Sequence, residues 1–594
     1  MSSGRCDDAA HETHYHAGVK GSTNCVISGW GHAAVVSTLV ASPTLGALDT
    51  LLGRLAPDQR AAATAPPGPV LCVAPAGSGK TTTLVARIAW LIGGGADPGA
   101  ITALTFNRRA AEELTVRLAR AIPAFGSGVE ATPDGVRVRT FHALGLEILR
   151  DADESVAPLL DREAVLREVL PAATAAELRR LDTVISRLKL DLDVRPEAVA
   201  EDPEAGPTAR AFVAYERAIA SAGGLDFDDL VVRSLRLLGS RPDVLARWRE
   251  RCAHLLVDEA QDLDRSQLRM ALLLAAPANR IFLVGDDDQS IYGWRLADVR
   301  RLLGLAEASL PGLRRVDLVT NYRCPAVVIE RAVRLVEHNQ ERFEKSIRPR
   351  PDAAGALILA PSAAEASEAI VAVLRSWPDD DGSRAVLART NRELLPAVVA
   401  CLTLDEPFRA VDLELPVESP EVDAVLDAAG LQSPGPLLVR LSRVARAGAL
   451  AVADPRPPGR DEVARPPAEI VSSLLAWAPA YENLDQLRAA IFFAREQLAR
   501  LRRDDARLTL ATAHGTKGLE FDHVAVIGLD DGRFPSARSI SEAEDPERAL
   551  EEERRLAYVA WTRARRSLTL VYDPEAPSRF LLEAFDPGEL ASAG

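Results

Sequence analysis

The sequence predicts a multidomain α/β protein built on buried parallel sheets and interrupted by two mainly helical insertions. Three observations predict it: short apolar runs recurring between helical stretches, a glycine-rich loop directly after one of those runs, and two long intervals without a strand pattern. The runs are Val70 to Ala74, His254 to Val257, Arg280 to Val284, Ala385 to Ala388, His523 to Gly528 and Leu568 to Tyr572. Each is short and continuously apolar, as parallel strands covered on both faces are. The intervals from about 120 to 225 and about 400 to 505 read as strand-free, hence as insertions into α/β domains. Within the second, the Pro/Gly/Arg/Ala-rich stretch near 431 to 468 reads as linker. At 594 residues, the chain exceeds what one core organises.

Composition narrows the function classes. With 47% hydrophobic and 26% charged residues, the chain is neither disordered nor membrane-embedded in character. A formal charge of -15 excludes a globally basic surface, so any nucleic-acid contact must come from a local groove. Cys6, Cys25, Cys72, Cys252, Cys324 and Cys401 are scattered without CxxC spacing, which suits a reduced cytoplasmic protein rather than a disulfide framework. Residues 1–45 read as a poorly structured leader, whose His11, His14, His16, Cys6 and Cys25 fit no standard zinc spacing. The apolar stretch Ala33 to Ala41 begins too late for a signal peptide and lacks a basic start. No run reaches the eighteen or so apolar residues of a membrane span, so no membrane partner is expected. Only Lys20, Lys80, Lys189, Lys345 and Lys517 are lysine among 70 basic residues. Where arginine serves nearly every need, a surviving lysine points to a requirement for its compact ammonium.

Three motifs carry chemistry. The run VLCVA leads into a loop of Ala74, Pro75, Ala76, Gly77, Ser78, Gly79, Lys80, Thr81 and Thr82. There glycines let backbone N–H groups wrap phosphate, the following helix offers its positive end, Lys80 reaches the β- and γ-phosphates, and Thr81 supplies a hydroxyl to Mg²⁺. At 255–262, LLVDEAQD sets Asp258 to hold Mg²⁺ and Glu259 to activate water, directly after a buried strand. The next run ends in VGDDDQSIYGWR, where Gln289 can sense the γ-phosphate while Tyr292 and Trp294, beside Arg295, offer flat faces for bases. Together the three point to hydrolysis of a nucleoside triphosphate coupled to nucleic acid.

Taken in order, these motifs resemble those of the UvrD/Rep/PcrA helicases, superfamily 1A, over roughly residues 50 to 585. LAPDQRAA at 55–62 is similar to the Q motif, which implies that Gln59 reads adenine. TFNRRAAEEL and TFHALGLEIL look like motifs Ia and Ib, implying that Thr105, Phe106, Asn107, Thr140 and His142 lie along a DNA strand. GLDFDDL at 224–230 resembles the return to the first motor domain. LVTNYRCP is similar to motif IV, implying Tyr322 on adenine and Arg323 near the γ-phosphate. LTLATAHGTKGLEF looks like motif V, implying Glu520 on ribose and Thr512 and His514 near DNA. EEERRLAYVAWTRAR is similar to motif VI, making Arg563 a second arginine finger. A planar, always-charged donor fork suits the spreading charge of phosphoryl transfer.

The resemblance implies two RecA-like P-loop domains with parallel sheets, each carrying a mainly helical insertion. The first comprises 46–120 plus 225–312 with insertion 121–224; the second comprises 313–395 plus 506–585 with a reduced insertion, 396–505; residues 586–594 form a tail. It implies ATP and Mg²⁺ as cofactors, single-stranded DNA or its junction with duplex as partner, no obligate protein partner, and 3′-to-5′ movement serving repair or recombination. The chain departs from the family in the short 396–505 interval, which favours translocation over processive unwinding. An alternative is a nucleotide-gated DNA-binding or recruitment protein; an RNA-directed motor remains chemically open, since stacking ignores the sugar.

Overall fold

The computed structural model describes residues 43–592 apart from 122–134, 453–467 and short breaks at 157, 172, 174, 191, 193–195, 203–205 and 411–412. The expected leader, with its histidines and the 33–41 stretch, lies outside the described residues except at its end, where the helix Pro43–Gly53 begins.

Fourteen strands appear among the described residues, in chain order β1 Val70–Val73, β2 Ile101–Thr105, β3 Arg137–Thr140, β4 His254–Val257, β5 Ile281–Gly285, β6 Arg314–Asp317, β7 Thr320–Asn321, β8 Arg348–Pro349, β9 Ala356–Pro361, β10 Arg384–Ala388, β11 Phe408–Ala410, β12 Leu508–Thr512, β13 Phe521–Val526 and β14 Ala564–Tyr572. They form two six-stranded sheets, ordered β3-β2-β4-β5-β1-β6 and β11-β12-β10-β13-β14-β9, with β7 and β8 as a separate pair. Every pairing in both sheets is parallel. The protein is α/β with two RecA-like parallel sheets, as the sequence predicts.

The apolar runs are continuous because both faces of each sheet are covered. In β1, Leu71 and Val73 join one core with Leu104, Leu255, Val257 and Leu283. Val70 and Cys72 point the other way, into a core with Ala103, Leu256 and Val284. The period of two thus feeds two cores from one strand. The second sheet repeats this arrangement, with Leu387 and Val526 on one face and Val386 and Ala525 on the other.

Three expectations need correction. The interval read as strand-free between 120 and 225 contains β3, which pairs with β2 and closes one edge of the first sheet. The interval from 400 to 505 contains β11, the corresponding edge of the second. The stretch read as linker near 431–468 holds the helix Leu437–Val452; of the rest, 453–467 lies outside the described residues. In the tail, helix Pro587–Ser592 packs Leu590 against the second lobe's core.

Both insertions have cores of their own. In the first, helices Arg162–Val169, Ala175–Leu190 and Pro207–Ser221 enclose Leu166, Ile185, Phe212 and Tyr215. Arg162 ties them to the 224–230 segment, bonding Asp226 at 2.8 Å and Asp228 at 2.6 Å. Lys189 bonds Asp226 at 3.0 Å and Asp229 at 2.9 Å. In the second, helices Glu421–Gly430, Leu437–Val452, Ala468–Trp477 and Leu484–Leu501 enclose Val425, Leu441, Leu474 and Leu487.

Candidate active site

The two lobes meet at the loop after β1. Its Gly77 and Gly79 take positive φ, +67° and +85°, where a side chain is strained. A Cβ on Gly77 would lie 2.7 Å from both Arg323 Cβ and Asn321 Nδ2, so glycine there also permits the lobes to touch. The contact is hydrogen-bonded: Asn321 donates to the Ala76 carbonyl at 2.6 Å, and the Tyr322 N–H donates to the Gly77 carbonyl at 2.9 Å. Helix Lys80–Gly93 then begins with no side-chain cap, leaving its first N–H groups for an anion. Lys80 donates to the Ala74 carbonyl at 3.2 Å. Buried Ser78 Oγ has no hydrogen-bond partner.

Beside this loop, β4 ends in the acidic pair. Glu259 stands at φ +51°, a conformation uncommon outside glycine and concentrated at functional sites. Burial, with the Glu259 charge beside it, pushes Asp258 up to about 7. For Glu259 the desolvation is outweighed by Lys80, Lys517 and the Gln261 amide, which hold it below the usual carboxylate range. Gln261 donates to Glu259 Oε2 at 2.6 Å. Asp258 and Thr81 both line the cleft and present oxygen donors, the ligands a hard divalent cation takes, so the residues present fit Mg²⁺.

The second lobe closes the opposite wall. A cleft of about 1100 Å³ is lined by Ala76, Gly77, Gly79, Lys80, Thr81, Thr82, Asp258, Glu259 and Gln289 from one side, and by Tyr322, Arg323, Lys517, Glu520 and Arg563 from the other. Arg323 donates to Glu520 at 2.8 Å. Arg563 is buried and donates to Val559 and Leu519 carbonyls at 2.9 and 3.1 Å and to Gln289 Oε1 at 3.2 Å. Burial and neighbouring Arg323 push its pKa down to about 9, which leaves it charged at neutral pH. Lys517 reaches across to Asp262 and to the Gln289 carbonyl at 2.7 Å, its ammonium 5.1 Å from the Tyr292 ring centre.

A second hollow, about 420 Å³, adjoins the cleft and shares Phe106, Asn107 and Asp262 with it. Thr140, His142, Trp294 and Arg295 line it, together with Phe227. Phe227 is 56% exposed and stacks on His142 with ring centres 4.1 Å apart. Trp294 is 54% exposed, with Arg295 over its ring at 4.7 Å. Tyr292 stacks on Phe106 at 5.0 Å and lines the cleft rather than this hollow. Burial pushes His142 down to about 4, against the opposing charge of Asp228. The hollow thus offers flat rings and a cation beside the cleft, the combination a single strand needs.

Most of the expected site residues converge on these two hollows. Gln59 does not line the cleft: its amide donates to the Ser78 carbonyl at 2.8 Å, bracing the loop. Ala74, Pro75 and Ser78 are buried in the same loop and do not line the cleft. Thr105 is corrected: its buried hydroxyl donates to the Asn107 carbonyl at 3.1 Å, so it shapes its turn and cannot face a strand. Thr512 and His514 line neither hollow; Thr512 Oγ1 accepts the Gly515 N–H at 3.3 Å. Sequence reasoning missed the roles of Lys517, Asp262, Asn321 and Phe227. The scarcity of lysine flagged the first, and Asn321 and Phe227 stand inside motifs already quoted.

Fold and site together define a P-loop nucleotide-binding protein whose cleft is completed by arginines from a second RecA-like lobe. Comparison with known proteins agrees. The UvrD/REP helicase N-terminal domain matches residues 55–309 and the UvrD-like helicase C-terminal domain matches residues 472–575. DNA helicase II of Salmonella typhimurium is 29% identical, over 88% of this chain and 85% of the relative. ATP-dependent DNA helicase Rep of Escherichia coli is 28% identical, over 89% and 94%. ATP-dependent DNA helicase PcrA of Leuconostoc citreum is 27% identical, over 90% and 85%. The chain belongs to the UvrD/Rep/PcrA family of helicases.

Proposed function

We propose that the protein is an ATP-driven motor that moves 3′-to-5′ along single-stranded DNA, working in the cytoplasm in repair or recombination. The observation that carries this reading is that Lys80, Asp258 and Glu259 of one lobe and Arg323 and Arg563 of the other line a single cleft. On this reading Lys80 and the uncapped helix start bind the β- and γ-phosphates, and Tyr322 and Glu520 orient the nucleoside. Glu259, ionised and aimed by Gln261, takes a proton from the attacking water. Gln289, Arg323 and Arg563 meet the charge that develops on the γ-phosphoryl oxygens. Thr81 and Asp258 would hold Mg²⁺, which neutralises phosphate charge when bound.

Hydrolysis weakens the attraction between the lobes, and the cleft opens. Tyr292, Phe106 and Lys517 form the wall between cleft and strand hollow, so opening shifts the surfaces on which bases stack. On this reading the domain division expected from the sequence changes in three places: β3 and the helix Phe141–Asp151 go to the first motor domain, β6 extends that domain past residue 312, and β11 goes to the second.

Steady-state ATP turnover with and without single-stranded DNA tests the reading, and turnover indifferent to DNA refutes it. Displacement of streptavidin from 5′- but not 3′-biotinylated strands tests polarity. The second insertion, a four-helix unit, keeps the DNA-clamp alternative in play. A 3′-tailed duplex that stays annealed while streptavidin is displaced separates translocation from unwinding.

A further inference from the structure

We propose that Lys345 is a positioning residue for ATP hydrolysis, holding Asp286 and, through it, both Gln289 and the Gln261 that aims Glu259. The inference rests on the hydrolytic reading above and adds a residue outside the cleft.

Lys345 lies in the segment between the helix Ala326–Val336 and β8, and its side chain is fully buried. Its ammonium meets Asp286 and Asp288 at 2.9 Å, and it also meets Asp287. Arg342 takes Asp288 in two bonds of 3.0 and 2.9 Å, and the Phe343 N–H donates to Asp287 at 2.8 Å.

Asp286 is the node. Its Oδ2 accepts from Gln289 Nε2 at 2.6 Å, and Gln289 Oε1 accepts from Arg563 at 3.2 Å. Its N–H donates to Gln261 Oε1 at 3.0 Å, and the other end of that amide donates to Glu259 at 2.6 Å. One buried ammonium from the second lobe's segment therefore fixes the carboxylate that holds a phosphate-facing amide, on the residue whose backbone N–H holds the Gln261 that orients the water-activating Glu259.

Charge alone does not explain the residue type. A chain with 70 basic residues keeps only five lysines, and one stands here. An ammonium is a compact point charge with three divergent donors, able to meet three carboxylates at one place. A guanidinium fork is planar and longer, and must displace at least one of them. If neutralisation were the whole role, arginine would serve.

The full chain with Lys345→Arg tests this, because it keeps the charge that burial demands. Expected is a fall in kcat for DNA-stimulated ATP hydrolysis of about tenfold or more, with KM for ATP, affinity for a fluorescent ATP analogue and melting temperature close to those of the unsubstituted chain. Asp286→Asn is the second variant; it leaves two carboxylates facing two cations, so the cluster stays neutralised, and the same kcat loss is expected. A folded Lys345→Arg protein with kcat within about twofold of the unsubstituted chain overturns the proposal. Should Lys345→Arg not fold, the same result from Asp286→Asn overturns it. An unsubstituted chain that hydrolyses no ATP defeats the hydrolytic reading instead, so the two failures are distinct.

Discussion

Removing the ammonium of Lys517 cuts a tie between the lobes, and the structure sets the size of the effect. Only 8% of the side chain is exposed, and the ammonium faces the fully buried Asp262, the Gln289 carbonyl and the Tyr292 ring. Breaking a buried pair by removing one partner costs about 3–5 kcal/mol when the other charge stays ionised. Here it need not: burial already pushes Asp262 up to about 7 against the pull of Lys517, so the orphaned carboxyl protonates. What remains is the lost hydrogen bond to a carbonyl and the cation–π contact, so Lys517→Met should destabilise by about 2–3 kcal/mol. Denaturant unfolding measures this, and a double-mutant cycle with Asp262→Asn should return a coupling of about 1–2 kcal/mol. Because the same ammonium touches the wall between cleft and strand hollow, DNA stimulation of ATP turnover should fall in the variant while nucleotide affinity persists. Unchanged stability together with unchanged DNA stimulation would refute the tie.

Other residues give sharper local tests. Gly77→Ala should weaken nucleotide binding about tenfold or more, since its Cβ would meet Arg323 and Asn321 and must strain the loop or part the lobes; an unaltered dissociation constant for a fluorescent ATP analogue contradicts the contact. Phe227→Ala should weaken single-stranded DNA binding about tenfold, within the range of one lost base stack, and fluorescence anisotropy with a labelled oligonucleotide reads it. His514 supplies a pH prediction. Burial, with Arg389 and Lys517 adding repulsion, lowers its folded pKa to about 4, so the unfolded chain takes up the proton first. Its share of stability is complete above the unfolded value near 6.5 and is lost as pH falls towards about 4. His514→Gln should therefore flatten the decline of melting temperature across that window, and an unchanged slope tells against a buried neutral imidazole.

The strands legible in the sequence were β1, β4, β5, β10, β13 and β14, six of the eight inner strands of the two sheets. Apart from the two-residue strands β7 and β8, those that escaped divide into two kinds. β3, β6, β9 and β11 are the four sheet edges, and RVRT and RRVD turn arginines to a partly open face, which breaks the apolar run. β2 and β12, ITALT and LTLAT, are buried but punctuated by threonine. The nucleotide cleft was legible because each of its parts sits in a contiguous motif beside a readable strand. Lys345 was not, because its partners lie 57 to 59 positions away and only packing brings them together. The scarcity of lysine did carry information: Lys189, Lys345 and Lys517 are all buried within carboxylate clusters, and Lys80 lies in the phosphate loop.

The central claim is that two lobes share one hydrolytic site, and comparing Arg563→Ala with Lys80→Ala in single-stranded-DNA-stimulated ATP turnover tests it most directly. These residues come from opposite lobes, yet each loss should lower kcat by about a thousandfold, with Arg563→Ala still binding nucleotide. Turnover by Arg563→Ala close to that of the unsubstituted chain would contradict the account.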